Sequence, residues 1–102
     1  MGITKATVTL VGGSRETSAE LVVDTGSVLT WVRRNRVEGM GARARREKEF
    51  RTIEGRIVRR ETGPLTIRYD GAEADIVVFG DESDAEVLGV TALEGLGIQV
   101  DP

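Results

Sequence analysis

The chain has 102 residues, 39% of them hydrophobic, with 14 basic and 17 acidic side chains and a formal charge of −3. That is enough for one compact core and too little for two ordinary domains, so a single domain over residues 1–102 is expected. The absence of cysteine and histidine excludes disulfides, thiolate nucleophiles, the usual zinc ligands and any pairing of a serine or cysteine nucleophile with histidine.

Residues 4–11 alternate apolar Ala6, Val8 and Leu10 with polar neighbours and run into Gly12-Gly13-Ser14, which reads as a strand entering a turn. The first ten residues lack the unbroken apolar stretch of a signal peptide, and no segment approaches the length of a membrane span. A cytoplasmic protein with no membrane partner is the expectation. Residues 19–24 form a second strand, in which Leu21-Val22-Val23 has the β-branched character of a strand buried on both faces. It stops at Asp24-Thr25-Gly26. Residues 28–32 are again β-like, and residues 33–41 read as a short helical turn with a glycine stop at Gly39 and Gly41.

A basic belt covers residues 33–60, with 11 of the basic side chains and only 4 of the acidic ones. Such a belt could hold phosphates. It carries no interleaved aromatics on which bases could stack, and the whole chain is acidic, so it reads as a solvated face and nucleic acid is not the expected partner. Within and beyond it, residues 50–53, 56–60 and 65–69 are strand-length pieces divided by Gly55 and Gly63-Pro64. Asp70-Gly71 predicts a tight hairpin between residues 66–69 and 75–79. An acidic loop over residues 81–86 precedes Val87-Leu88-Gly89-Val90, and Thr91 reads as the cap of a short helix, residues 92–96, ended by Gly97. Short strands with glycine punctuation predict an all-β domain.

With imidazole and thiol absent, carboxylates are the first candidates for chemistry. In Leu21-Val22-Val23-Asp24-Thr25-Gly26-Ser27 a strand would fix the carboxylate in a mostly dry place. Thr25 could lock the loop by hydrogen bonding, and Gly26 would permit close backbone approach. Ser27 could donate to the outer carboxylate oxygen and favour the ionised form. An Asp-Thr-Gly triplet by itself is more often an ordinary turn or helix cap; its surroundings decide.

Asp24-Thr25-Gly26-Ser27 after an apolar strand, followed by Leu29-Thr30-Trp31-Val32, resembles the aspartic protease signature, including its pepsin-like variant with Trp-Val downstream. The second element, Val87-Leu88-Gly89-Val90 with residues 91–97 and the ending Ile98-Gln99-Val100-Asp101-Pro102, is similar to the apolar-apolar-Gly motif and C-terminal helix of the retropepsin-like families, especially the small prokaryotic aspartyl proteases. The resemblance covers nearly the whole chain. It implies a retropepsin-like acid protease half-barrel with one short C-terminal helix, assembled as a symmetric homodimer and acting as an aspartic endopeptidase on peptide or protein substrates, without cofactor or metal.

By this resemblance Asp24, Thr25 and Gly26 are the catalytic residues. Ser27, Ile53, Glu54, Gly55, Arg56, Leu88 and Gly89 bind substrate, with Leu88-Gly89 packed beneath the Asp24 loop and the hairpin at Ile53-Glu54-Gly55-Arg56 closing as a flap. Gly55 has its own rationale, since a tip that bends over a ligand benefits from lacking a side chain; an ordinary hairpin glycine is the competing explanation. One Asp-Thr-Gly per chain implies that two copies of Asp24 meet across a two-fold axis and share one proton. The ionised member would activate a water while the protonated one polarises the scissile carbonyl. Ser27 then predicts activity persisting at acid pH.

The chain departs from the retroviral pattern where an Asp after the signature pairs with an Arg after the apolar-Gly motif. Val28 and Val90 occupy those positions, a joint replacement expected to avoid an uncompensated interior charge. Trp31, the single tryptophan, reads as a core or interface aromatic in preference to a pocket wall. The competing function is a catalytically silent protease-like dimer that binds peptides, or nucleic acid through the belt at residues 33–60.

Overall fold

A computed structural model describes residues 4–98 except 14, 53 and 75. Among these, nine strands and two short helices follow in the order β1 (Lys5–Val11), β2 (Glu16–Val23), β3 (Thr30–Arg33), α1 (Arg34–Gly39), β4 (Arg46–Arg51), β5 (Ile57–Gly63), β6 (Thr66–Tyr69), β7 (Ala72–Ala74), β8 (Val77–Gly80), β9 (Val87–Leu88) and α2 (Val90–Leu96). The protein is mostly β, as the strand-like segmentation predicts, and its single sheet curls into a half-barrel with strand order β4-β5-β8-β3-β9-β2-β1-β6-β7.

Alternation sets the register. In β1, Val8 and Leu10 point inward and are fully or almost fully buried; across the antiparallel pair, Val8 faces Ala19 and Ala6 faces Leu21. On its other edge β1 pairs with β6, Leu10 opposite buried Ile67. A one-residue slip in either ladder would turn these side chains to solvent, so burial itself specifies the pairing.

The strand enclosed on both faces is β8, whose four residues are all buried. It lies between β3, which it parallels, and β5, which it opposes. The expected double burial of Leu21-Val22-Val23 is not found: Leu21 is buried, while Val22 and Val23 are half-buried, because only one face of this strand end is covered within the chain. The Asp70-Gly71 hairpin forms with the positive φ angles predicted, 48° and 83°. Its return strand, however, is β7 and not residues 75–79. Ile76, at φ 98°, lies between β7 and β8, and an apolar run like Val77-Val78-Phe79 finds burial on both faces only at the sheet centre. Asp75 lies outside the described residues.

Gly63 belongs to β5 and does not end it early. A Cβ there would stand 2.4 Å from the Arg43 carbonyl oxygen, so the strand can pass the preceding segment only without a side chain. The helical turn predicted for residues 33–41 is α1, which buries Val37 and ends at Met40 and Gly41, the latter at φ 84°. Six residues are too few to hold a helix alone, so this packing maintains it.

The start of α2 differs from expectation. Its cap is Gly89, and Thr91 is exposed within the first turn. The amides of Val90 and Thr91 donate to the carbonyls of Ser27 and Val28, at 2.8 and 3.0 Å. Backbone from a distant loop thus satisfies donors that a capping side chain usually serves. At the other end Gly97 adopts φ 69°, Ile98 donates to Leu93, and Ile98 packs on the core, a left-handed termination with its apolar contact.

Candidate active site

Asp24 begins the loop that follows β2, and three contacts fix that loop from below. β2 and β9 run parallel with Val23 beside Leu88, and the Asp24 amide donates to the Leu88 carbonyl at 3.0 Å. Gly89 passes so close beneath that a Cβ would lie 2.4 Å from the Leu29 oxygen and 2.9 Å from that of Ser27. Its amide donates to the buried Thr30 hydroxyl at 3.0 Å. The bonds from α2 complete the clamp. Leu88 is completely buried, so Leu88-Gly89 underpins the loop, and the Leu88 side chain faces the core and not a ligand.

Above this base Asp24 is half-buried, and one of its oxygens, Oδ1, accepts from the Gly26 amide at 2.9 Å. A backbone donor two residues on orients the carboxylate without using a side chain. The other oxygen receives no hydrogen bond among the described residues. Thr25 is exposed and its hydroxyl likewise has no partner there, so it does not lock the loop within one chain. The Ser27 hydroxyl donates to the Leu29 carbonyl at 2.7 Å and not to the carboxylate. Its expected influence on Asp24 therefore loses its basis: a hydroxyl proton committed to a backbone oxygen cannot also stabilise the carboxylate.

The loop opens onto a cleft of about 680 Å³. Asp24, Gly26, Ser27, Val28 and Leu29 line one side, and the opposite side is residues 49–52 of the β4–β5 hairpin. Trp31 and Phe50 meet in it edge to face, with ring centroids 5.0 Å apart. Trp31 is thus a cleft wall, half-buried, where a core or interface position was expected. Val28 is 71% exposed on the same loop; the apolar replacement at this position fills no interior space within one chain.

The hairpin predicted at residues 53–56 is present. Thr52 donates its amide to the Arg56 carbonyl at 2.8 Å, and Gly55 closes the turn at φ 88° with open space around it. Glu54, Gly55 and Arg56 form its exposed tip, outside the cleft lining, while Ile53 lies outside the described residues.

Two carboxylates from the acidic loop make structural ion pairs, and one of them, at the cleft, was not anticipated as a site residue. Asp84, which also lines it, is gripped by Arg60 at 2.7 and 3.3 Å and receives the Asp81 amide at 2.8 Å. Burial alone would push the Asp84 carboxyl up, but the Arg60 and Asp81 hydrogen bonds and the guanidinium charge outweigh it and hold the group below the usual carboxylate range. Glu86 takes both Arg36 nitrogens, at 3.0 and 2.9 Å, and the Arg33 amide at 3.0 Å. The available signal was the charge asymmetry: an acidic loop in a chain with a basic belt is a natural partner for it.

Among the described residues no helix is long and apolar enough to cross a membrane, and no three acidic side chains gather as a metal site. No protein-family model matches the chain, and no curated protein matches it.

Proposed function

We propose that the chain is one subunit of a retropepsin-like aspartic endopeptidase, a homodimer in which two copies of Asp24 form the catalytic pair. The observation that supports this most is the clamp: an acidic side chain at a strand end, held by Leu88-Gly89 and α2, facing a cleft whose other wall is a glycine-tipped hairpin. Fixing a carboxylate on rigid backbone with one oxygen unoccupied suits a group that must hold a water.

One carboxylate cannot act as both base and acid in the same step, and the other acids of the cleft, Asp84 and Glu49, are engaged by Arg60 and Arg59, so a second copy of Asp24 supplies the partner. Two such groups roughly 3 Å apart share one proton, and the pair titrates as a unit. The ionised member takes a proton from water as it attacks the scissile carbonyl, and the protonated member hydrogen-bonds the carbonyl oxygen as charge develops there. Val28 and Thr25 are exposed on the Asp24 loop, which is the surface such a dimer would cover. An extended peptide would lie in the cleft as an added strand against the hairpin.

The test is a peptide-library digest by the native chain and by Asp24→Asn, with sedimentation recorded for both. Cleavage by the native dimer and none by an equally folded variant is expected. Equal cleavage by both, or a strictly monomeric active protein, would end the proposal.

A further inference from the structure

Ion pairs engage only part of the basic belt, and Arg33, Arg43, Arg51 and Arg56 form none among the described residues. Arg34, Arg36, Arg59 and Arg60 each hold a carboxylate. Arg45, Arg46 and Lys48 hold none among the described residues, and all three border one open groove of about 810 Å³ together with Leu29, Pro64, Ile76 and one acid, Glu47, which Arg59 engages. Leu29 belongs to the cleft as well, and residues 45–48 lead directly into residues 49–52, so the groove continues the cleft outward along β4.

Strand alternation aims these charges. Phe50 meets Trp31 in the cleft, and with period two, Lys48 and Arg46 share its face of β4. Glu47 and Glu49 alternate with them; Glu47 also borders the groove and Glu49 the cleft, and Arg59 pairs with both carboxylates. Lys48 stands directly across from Arg60. Like charges so placed repel; Arg60 is neutralised by Asp84 and Asp81, but Lys48 has no counter-ion among the described residues.

We propose that this groove is an outer subsite that selects acidic side chains in an extended peptide substrate. The inference rests on the endopeptidase reading and adds the substrate class. At ~3.3 Å per residue, Lys48 lies about 7 Å and Arg46 about 13 Å along the strand from Phe50. An added peptide strand therefore presents Glu or Asp to them two and four residues outward from the side chain packed on Phe50. Leu29, Pro64 and Ile76 offer apolar contact to the methylenes and intervening residues, Ile76 being 53% exposed. Among the described residues no aromatic side chain lines the groove, which favours an acidic peptide over nucleic-acid bases. A symmetric dimer carries the groove at both ends, so acidic residues are selected on both flanks.

The test takes one peptide cleaved in the library digest and prepares it with Glu, Gln or Lys at the second and fourth positions outward. The Glu form should exceed the Gln form in kcat/KM by about 3- to 10-fold at low salt, the gain of two exposed ion pairs, and the margin should shrink as salt is added. In the Arg46→Glu/Lys48→Glu double variant the order should invert, with the Lys form preferred. Equal rates for all three peptides, or an unchanged order in the double variant, overturn the subsite while leaving the protease assignment intact. Failure to cleave any peptide sinks the protease assignment and the subsite with it. A single-stranded oligothymidylate that displaces a fluorescent Glu peptide from Asp24→Asn at lower concentration than the unlabelled peptide also overturns it, in favour of a nucleic-acid surface.

Discussion

Inside the core the Gly89 amide donates to the Thr30 hydroxyl at 3.0 Å, joining the segment after β9 to the strand that follows the Asp24 loop. Through this bond and its neighbours, residues far apart in sequence hold one carboxylate in place.

Glycine substitutions should separate this scaffold from ordinary turns. Gly89→Ala drives a Cβ into the Leu29 and Ser27 carbonyls and should cost about 3 kcal/mol or more. Gly39→Ala, at the exposed end of α1 with nothing nearby, should gain about 0.5–1 kcal/mol by reducing the freedom of the unfolded chain. Urea midpoints measure both, and a Gly89→Ala protein as stable as the native one would remove the clamp.

A shared pair of carboxylates predicts a specific mixing curve. When native chain and Asp24→Asn are equilibrated in equal amounts, about a quarter of randomly formed pairs hold two native carboxylates. Activity per native chain should therefore fall by half. Activity per native chain that stays constant would show that each chain works alone.

The Trp31–Phe50 pair reports on the cleft. Trp31 is the only tryptophan, so a non-cleavable peptide entering beside it should change its emission. Phe50→Ala removes the edge contact, worth about 1 kcal/mol beyond area, and should raise KM more than it lowers kcat. If the emission ignores a peptide whose binding calorimetry has already established, the peptide lies elsewhere.

Asp84 supplies the pH dependence. Its folded-state pKa is lowered, so its contribution to stability is present above the unfolded-state value near 3.8 and is lost as pH falls further, through the folded-state value. Asp84→Asn leaves the Arg60 charge, 16% exposed, without its closest partner and should cost about 2 kcal/mol at pH 7. The difference between native and variant should shrink in acid. A gap that is the same at pH 3 and pH 7 contradicts the assignment.

Local signals read well where one residue's own conformation was decisive. Asp70-Gly71 turns with the positive φ angles its composition predicts, Gly97 ends a helix, and alternation in residues 4–11 gives a strand with the right face inward. They failed where a partner distant in sequence made the choice. The return strand of the hairpin stops at Ala74 because Val77-Val78-Phe79 finds fuller burial between β3 and β5. Thr91 does not cap α2 because the carbonyls of Ser27 and Val28 already serve its amides. Ser27 is the exception, a local miss: its hydroxyl bonds the Leu29 carbonyl two residues on.

By itself the sequence turned attention to carboxylates, since imidazole and thiol are absent, and the resemblance of the segment around Asp24-Thr25-Gly26 to the aspartic protease signature singled out Asp24. The tertiary structure alone decided what surrounds it. Trp31, Phe50 and Asp84 converge on the cleft, and four arginines of the basic belt find acids while, among the described residues, Arg45, Arg46 and Lys48 do not. Composition counts charges, but pairing depends on which strands become neighbours, and that is set by burial across the whole sheet.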